Sequence, residues 1–175
     1  MNDAHLHLLV NHLPIVGAML SLPLFGLALL MPKDRGALRA AVLVAVFTAL
    51  GGVAADLTGE PAEEVVEGLP DVTEDAIHEH EERAEAAVVT AVIGGLIAVG
   101  ALVISERKKA VHLPVTGLAL LAAVATAGTM AWTGQAGGPI RHTEIREAGL
   151  VKPPGATAER RSIGEVGLGG EEDDD

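Results

Sequence analysis

The chain has 175 residues, of which 49% are hydrophobic, yet its formal net charge is −12, from 12 Lys and Arg against 24 Asp and Glu. A soluble domain does not combine those properties; a membrane protein does, because its apolar and acidic residues are segregated along the chain. With no cysteine, disulfides, thiolate metal sites and iron–sulfur clusters are excluded. The acidic balance, and aromatic residues limited to Phe25, Phe47 and Trp132, exclude a stacking platform for nucleic acid.

Four apolar runs have the length, about 20 residues, that a hydrocarbon core of roughly 30 Å demands of a helix. They are Leu8–Met31, Leu38–Leu57, Ala84–Ser105 and Leu113–Trp132. Before the first, Met1–His12 holds no Lys or Arg, so a cleaved signal peptide is not expected. Pro14 and Pro23 lie inside this run and predict kinks, tolerated where neighbouring helices satisfy the freed carbonyls. The other three runs are rich in Ala, Gly and Val, including Gly51–Gly52, Gly94–Gly95 and Gly128; small residues allow close helix approach, so a compact all-α bundle of four transmembrane helices is expected. Between the third and second runs, Asp71 with Glu74 has the spacing of a capping box opening the third helix.

The connections set the orientation. Two short ones carry Lys33, Arg35, Arg39, Arg107, Lys108 and Lys109, as the positive-inside rule expects of cytoplasmic loops. Opposite them lie the N-terminus, the acidic segment Thr58–Arg83 and the C-terminal tail, with Arg83, Arg141, Arg146 and Lys152. The reading is a multi-pass protein of a bacterial inner (plasma) membrane, N-out and C-out. Residues 1–147 form the membrane domain. From Ala148 the tail, with Pro153–Pro154, scattered glycines and a terminal Glu-Glu-Asp-Asp-Asp, has too little apolar surface to fold and is expected to be disordered. An offset of 75 residues places the first two spans on the last two, Thr58-Gly59 on Thr133-Gly134 and His5 on His80, which suggests two parallel helical-hairpin repeats.

Six of the seven histidines gather at one end of such a bundle: His5, His7, His12, His78, His80 and His142. His112 lies at the other end, where an interfacial role suffices. His5 and His12 are seven apart and share a helix face, whereas His7 points nearly opposite His5 and reads as interfacial. His12 lies about 6 Å inside the apolar boundary, a costly place for an ionisable group and hence a functional candidate. His80 shares a stripe with Ala84, Ala87 and Ala91, small enough to leave room for a bulky group, while His78 shares one with Glu82 and Glu85. After Trp132, a plausible interface anchor, the glycine-rich run to Gly138 permits a tight turn that folds His142 and Glu144 back over the mouth of the bundle.

The segments HLHLLVNHLPIVG (5–17), TGEPAEE (58–64), HEHEE (78–82) and GGPIRHTEIR (137–146) resemble a family of uncharacterised bacterial four-helix integral membrane proteins. The resemblance covers about Ala4–Arg146 and carries over His5, His7, His12, His80 and His142, leaving His78 outside the pattern. It implies the fold and no established activity. Some related four-helix domains are joined to Rieske-type electron-transfer domains, which by analogy points to redox work.

Three readings follow. In the first, imidazoles from two helices, drawn from His5, His12, His80 and His142, hold a b-type haem that relays electrons at the outer (periplasmic) face; depth favours His5 with His80. In the second, His12, His80, Glu81, Glu82 and His142 bind a zinc, iron or copper ion, with Glu63, Glu64 and Glu144 around them. A metalloprotease is disfavoured, since the residue four after His80 is Ala84, and no independent enzymatic activity is expected. In the third, the chain is a structural or assembly subunit of a membrane, for example respiratory, complex. The expected partners are the bilayer, a membrane or periplasmic redox protein, and possible further copies of the chain in a homo-oligomer.

Overall fold

The computed structural model describes residues 1–142 and 145, and its first compact unit is Met1–Ile145. The tail expected from Ala148 onward, and the candidate Glu144, lie outside the described residues. Among the described residues six helices follow one another: α1 (Asp3–Val10), α2 (His12–Leu30), α3 (Gly36–Leu57), α4 (Gly59–Val66), α5 (Glu74–Lys108) and α6 (Leu113–Arg141). Four stretches are long and apolar enough to cross a membrane: α1 with α2, α3, α5 and α6. The chain is an all-α four-helix bundle.

Its side chains are sorted as lipid requires. Large apolar residues face outward; Met19, Leu43, Leu50, Leu96 and Leu121 are 65–72% exposed. The interior is built from small residues such as Ala18, Ala41, Ala91, Ala98 and Ala119, all nearly inaccessible, with Phe25 and Leu38 filling the wider part. Lipid tails are as apolar as leucine, so burial of large side chains does not drive this assembly; close packing of small ones does. At Gly17 the approach is so near that an added Cβ would overlap the Thr48 hydroxyl of α3. Gly94 meets Thr126 of α6 in the same manner, its Cβ position 3.3 Å from Oγ1, so the packing of the first hairpin recurs in the second. Helices α2 and α3 pack together, as do α5 and α6, and the contacts of α3 with α5 and of α2 with α6 close the ring in chain order.

The two short connections meet at one end, where the Val111 N–H donates to Pro32 O at 2.9 Å. There Glu106 at the end of α5 accepts from Arg35 and from Arg39, whose Nε lies 2.8 Å away. At the opposite, acidic end the first span is interrupted at Asn11, one turn before Pro14, whose nitrogen cannot donate to Val10 O, in keeping with the kink expected at that proline. Two other expectations are corrected there. No capping box opens the third span, because Asp71 sits in a left-handed turn (φ 65°) and Thr73 is the N-cap of α5. Nor does the chain turn after Trp132: α6 stays helical to Arg141, through Gly134, Gly137 and Pro139. The reason is tertiary. Helix α5 begins ten residues before the apolar boundary, and its first turns give α6 something to pack on, with Ala136 buried between them.

Candidate functional site

At the acidic end, α1, the α3–α4 junction, α5 and α6 bring two imidazoles together, one from each hairpin. His7, on α1, is half-buried, and its Nδ1 lies 3.1 Å from Thr58 Oγ1. That hydroxyl is also 3.1 Å from Ala54 O and 3.0 Å from Ala55 O. The hydroxyl has one hydrogen for these three neighbours, so when it donates to its own helix its oxygen accepts from the His7 Nδ1–H. His80, on α5 and also half-buried, has Nδ1 3.1 Å from Thr133 O on α6, a bond in which the imidazole must donate. The neutral His80 ring therefore carries its proton on Nδ1, because its partner is a carbonyl. The two rings lie within electrostatic reach of one another.

The surroundings are shaped to these rings. Gly137 of α6 faces the flat of His80, and a Cβ there would stand 3.0 Å from Cε1 and 3.1 Å from Nδ1. Gly59, which opens α4, lies against His7, with room for a Cβ at 3.9 Å from Cε1. One turn on from His7, whose carbonyl accepts the Asn11 N–H at 2.9 Å, the Asn11 side-chain oxygen is buried without a hydrogen-bond partner. Beside the histidines, Arg83 stacks over Trp132 at 4.8 Å from the ring centroid and donates to the Trp132 carbonyl at 3.1 Å. Thr133 Oγ1 in turn donates to Arg83 O at 2.8 Å. These bonds fix α5 and α6 at the depth of His80.

The candidates read from the sequence divide accordingly. His80 lies in the site. His5 is exposed, its backbone N–H bonded to Asn2 Oδ1 at 3.0 Å, so the helix presents His7 rather than His5 toward His80. His12 is exposed, with Nδ1 on Leu8 O. His142 is exposed at the end of α6, where its N–H donates to Gly138 O. Glu81 and Glu82 turn to His78, 3.9 and 3.4 Å from its ring nitrogens, and Glu81 also meets Glu63 of α4. That hydrogen bond, more than burial or the Glu81 charge, raises Glu63 above the usual carboxylate range, while His78 opposes the shift. Glu64 is exposed. Among the described residues no group of three or more His, Asp or Glu side chains is placed to hold a metal ion, so the ligand set His12, His80, Glu81, Glu82 and His142 is not assembled. Reading by helical angle set His7 aside as interfacial, and the 75-residue offset paired His80 with His5; the repeat did match Thr58 with Thr133, the residues whose oxygens meet His7 and His80.

No protein-family model, curated protein or solved structure matches the chain.

Proposed function

We propose that the chain is a membrane-embedded redox protein that holds a b-type haem between His7 and His80 and relays electrons at the outer face of a bacterial plasma membrane. The observation that carries this reading is the pairing of two half-buried imidazoles from separate hairpins within electrostatic reach of one another, each held at Nδ1 by an oxygen of another element. The donor set suits haem, which takes two neutral imidazoles and needs no thiolate. Bound there, the haem supplies a reversible one-electron change at iron. The residues of this chain do the rest. Thr58 and the Thr133 carbonyl orient the rings, Gly137 gives the His80 imidazole its space, and the apolar bundle limits water. The buried, unpaired oxygen of Asn11 is a further polar group that a bound donor would satisfy. The outward orientation rests on the basic residues of the two short connections. A soluble partner with a basic surface suits the acidic cap formed by α4 and the start of α5.

A bare transition-metal ion on the same two imidazoles is the second reading. What favours it is that the two rings lie within electrostatic reach of one another and that imidazole nitrogen suits such ions. One preparation separates the two. The protein purified in detergent is expected to show a Soret band that shifts on dithionite reduction, is lost in His7→Ala and in His80→Ala, and survives His5→Ala. Stoichiometric metal without a Soret band would favour the ion. Neither haem nor metal in protein made with both supplied would sink the ligand site.

A further inference from the structure

Hydrogen bonds tie the two hairpins, α2 with α3 and α5 with α6, at the ends of the bundle. On the basic side Glu106 accepts from Arg35 and Arg39, and the Val111 N–H donates to Pro32 O. On the acidic side Glu63 shares a hydrogen bond with Glu81. Between those ends, among the described residues, hydroxyls bond only within their own hairpin. The middle of the bundle encloses a cavity of about 10 Å³ to which all four spans contribute and whose lining residues are all buried. Ser21 of α2, Thr48 of α3 and Thr126 of α6 line it, with Phe25 and the glycine pair Gly94–Gly95. Ser21 is the midpoint of α2 (His12–Leu30), about 13.5 Å of helical rise from either end, so the cavity lies deep in the hydrocarbon region.

Each of the three hydroxyls has its proton committed. Ser21 Oγ donates to Ala18 O at 2.7 Å and Thr48 Oγ1 to Val44 O at 2.8 Å. Thr126 Oγ1 has the Thr90 and Ala122 carbonyls at 3.2 and 3.0 Å. Carbonyls only accept, so the three oxygens keep lone pairs, and among the described residues no donor reaches them. We infer that this cavity binds one water molecule, which donates to Thr126 Oγ1 on one side and to Ser21 Oγ or Thr48 Oγ1 on the other. Its volume is that of a single water site, and two to four polar partners are what such a site needs. A cation does not suit it, because no carboxylate lines the cavity to offset the lost hydration of a charge at this depth. The water is the polar bridge between the hairpins in mid-membrane and fixes the depth at which they meet, where packing of alanine and glycine alone would let them slide. This site is independent of whatever His7 and His80 hold.

Crystals grown from lipid, at a resolution that orders water, are expected to show density in the cavity about 2.7–3.2 Å from Thr126 Oγ1 and from an oxygen of the first hairpin. Thr126→Val keeps the shape and removes the oxygen, so the density should be lost, while Thr126→Ser should retain it. Thermal unfolding in detergent supplies a second measurement. Ser21→Ala with Thr48→Val strips the first hairpin of its oxygens, Thr126→Val strips the second, and without the water these groups share no hydrogen bond. With the water, the shift in midpoint on combining all three substitutions should be smaller than the sum of the two separate shifts. A wild-type structure that orders other buried waters and none here overturns the proposal, and so does density unchanged in Thr126→Val. Additive shifts in midpoint overturn the bridging role. If Thr126→Val does not fold, the wild-type density decides.

Discussion

Which nitrogen a histidine offers is decided by what its other nitrogen does. At His80 that decision belongs to the Thr133 carbonyl, and the ring can reach it only because residue 137 has no side chain. Gly137→Ala would place a methyl within 3.0 Å of the ring, so the imidazole must leave its carbonyl or α6 must shift. The expected cost is about 1–3 kcal/mol, the usual range for overpacking, read as a lower midpoint of thermal unfolding in detergent. Gly128→Ala is the matched control. Nothing lies within 4 Å of its Cβ position, so the change should be neutral or stabilise by about 0.5–1 kcal/mol through the lower flexibility of the unfolded chain. If both substitutions behave alike, the contact at Gly137 has no special role.

At the scale of elements, α4 is the part whose docking depends on pH. Its Ala62 is buried, its first residue lies against His7, and its Glu63 shares a hydrogen bond with Glu81 of α5. Two carboxylates cannot share that bond without a proton, which is why Glu63 is raised. For an acid whose folded value lies above its unfolded one, the stabilisation is complete below the unfolded value, about 4.3, and is lost as pH rises through the folded value. Helix α4 should therefore be held most firmly in mild acid and loosen toward neutral pH as both groups ionise. Hydrogen-exchange protection along 59–66, taken relative to the intrinsic rate at each pH, is expected to fall in the wild type as pH rises from mild acid toward neutral. Glu63→Gln, which keeps a donor at all these pH values, should flatten that change; an unaltered profile would show that the pair does not hold α4.

Over the whole molecule, the charge asymmetry predicts the orientation. The chain has no cysteine, so single cysteines report cleanly. Placed at Thr73 they should react with a membrane-impermeant maleimide in intact cells, and placed at Lys109 only after permeabilisation. The reverse pattern would put the histidine pair on the cytoplasmic side and remove the outer-face part of the functional reading without touching the ligand geometry. The basic connections are not all free for this rule to act on, since Arg35 and Arg39 share Glu106; Lys33, Arg107, Lys108 and Lys109 then carry most of the asymmetry.

Amphiphilic sorting along the chain was enough to define four apolar spans, their short basic connections and the acidic histidine-bearing end, because a bilayer imposes a length and a polarity that any one segment must meet alone. The alignment of His80 with Ala87 and Ala91, and of His78 with Glu82, was also legible, since both lie within the uninterrupted helix α5 and depend on its period only. The identity of the second imidazole was not. It is His7 rather than His5 that meets Thr58, 51 residues further along the chain, a contact no local pattern reports. The continuation of α6 past its glycines was likewise invisible, because only the projecting first turns of α5 supply the contacts that outweigh their weak helix propensity. Sequence determined at which end of the bundle the histidines gather; the meeting of four helix ends decided which of them pack against oxygens of other elements, since those contacts join residues too far apart in the chain for any local pattern to encode.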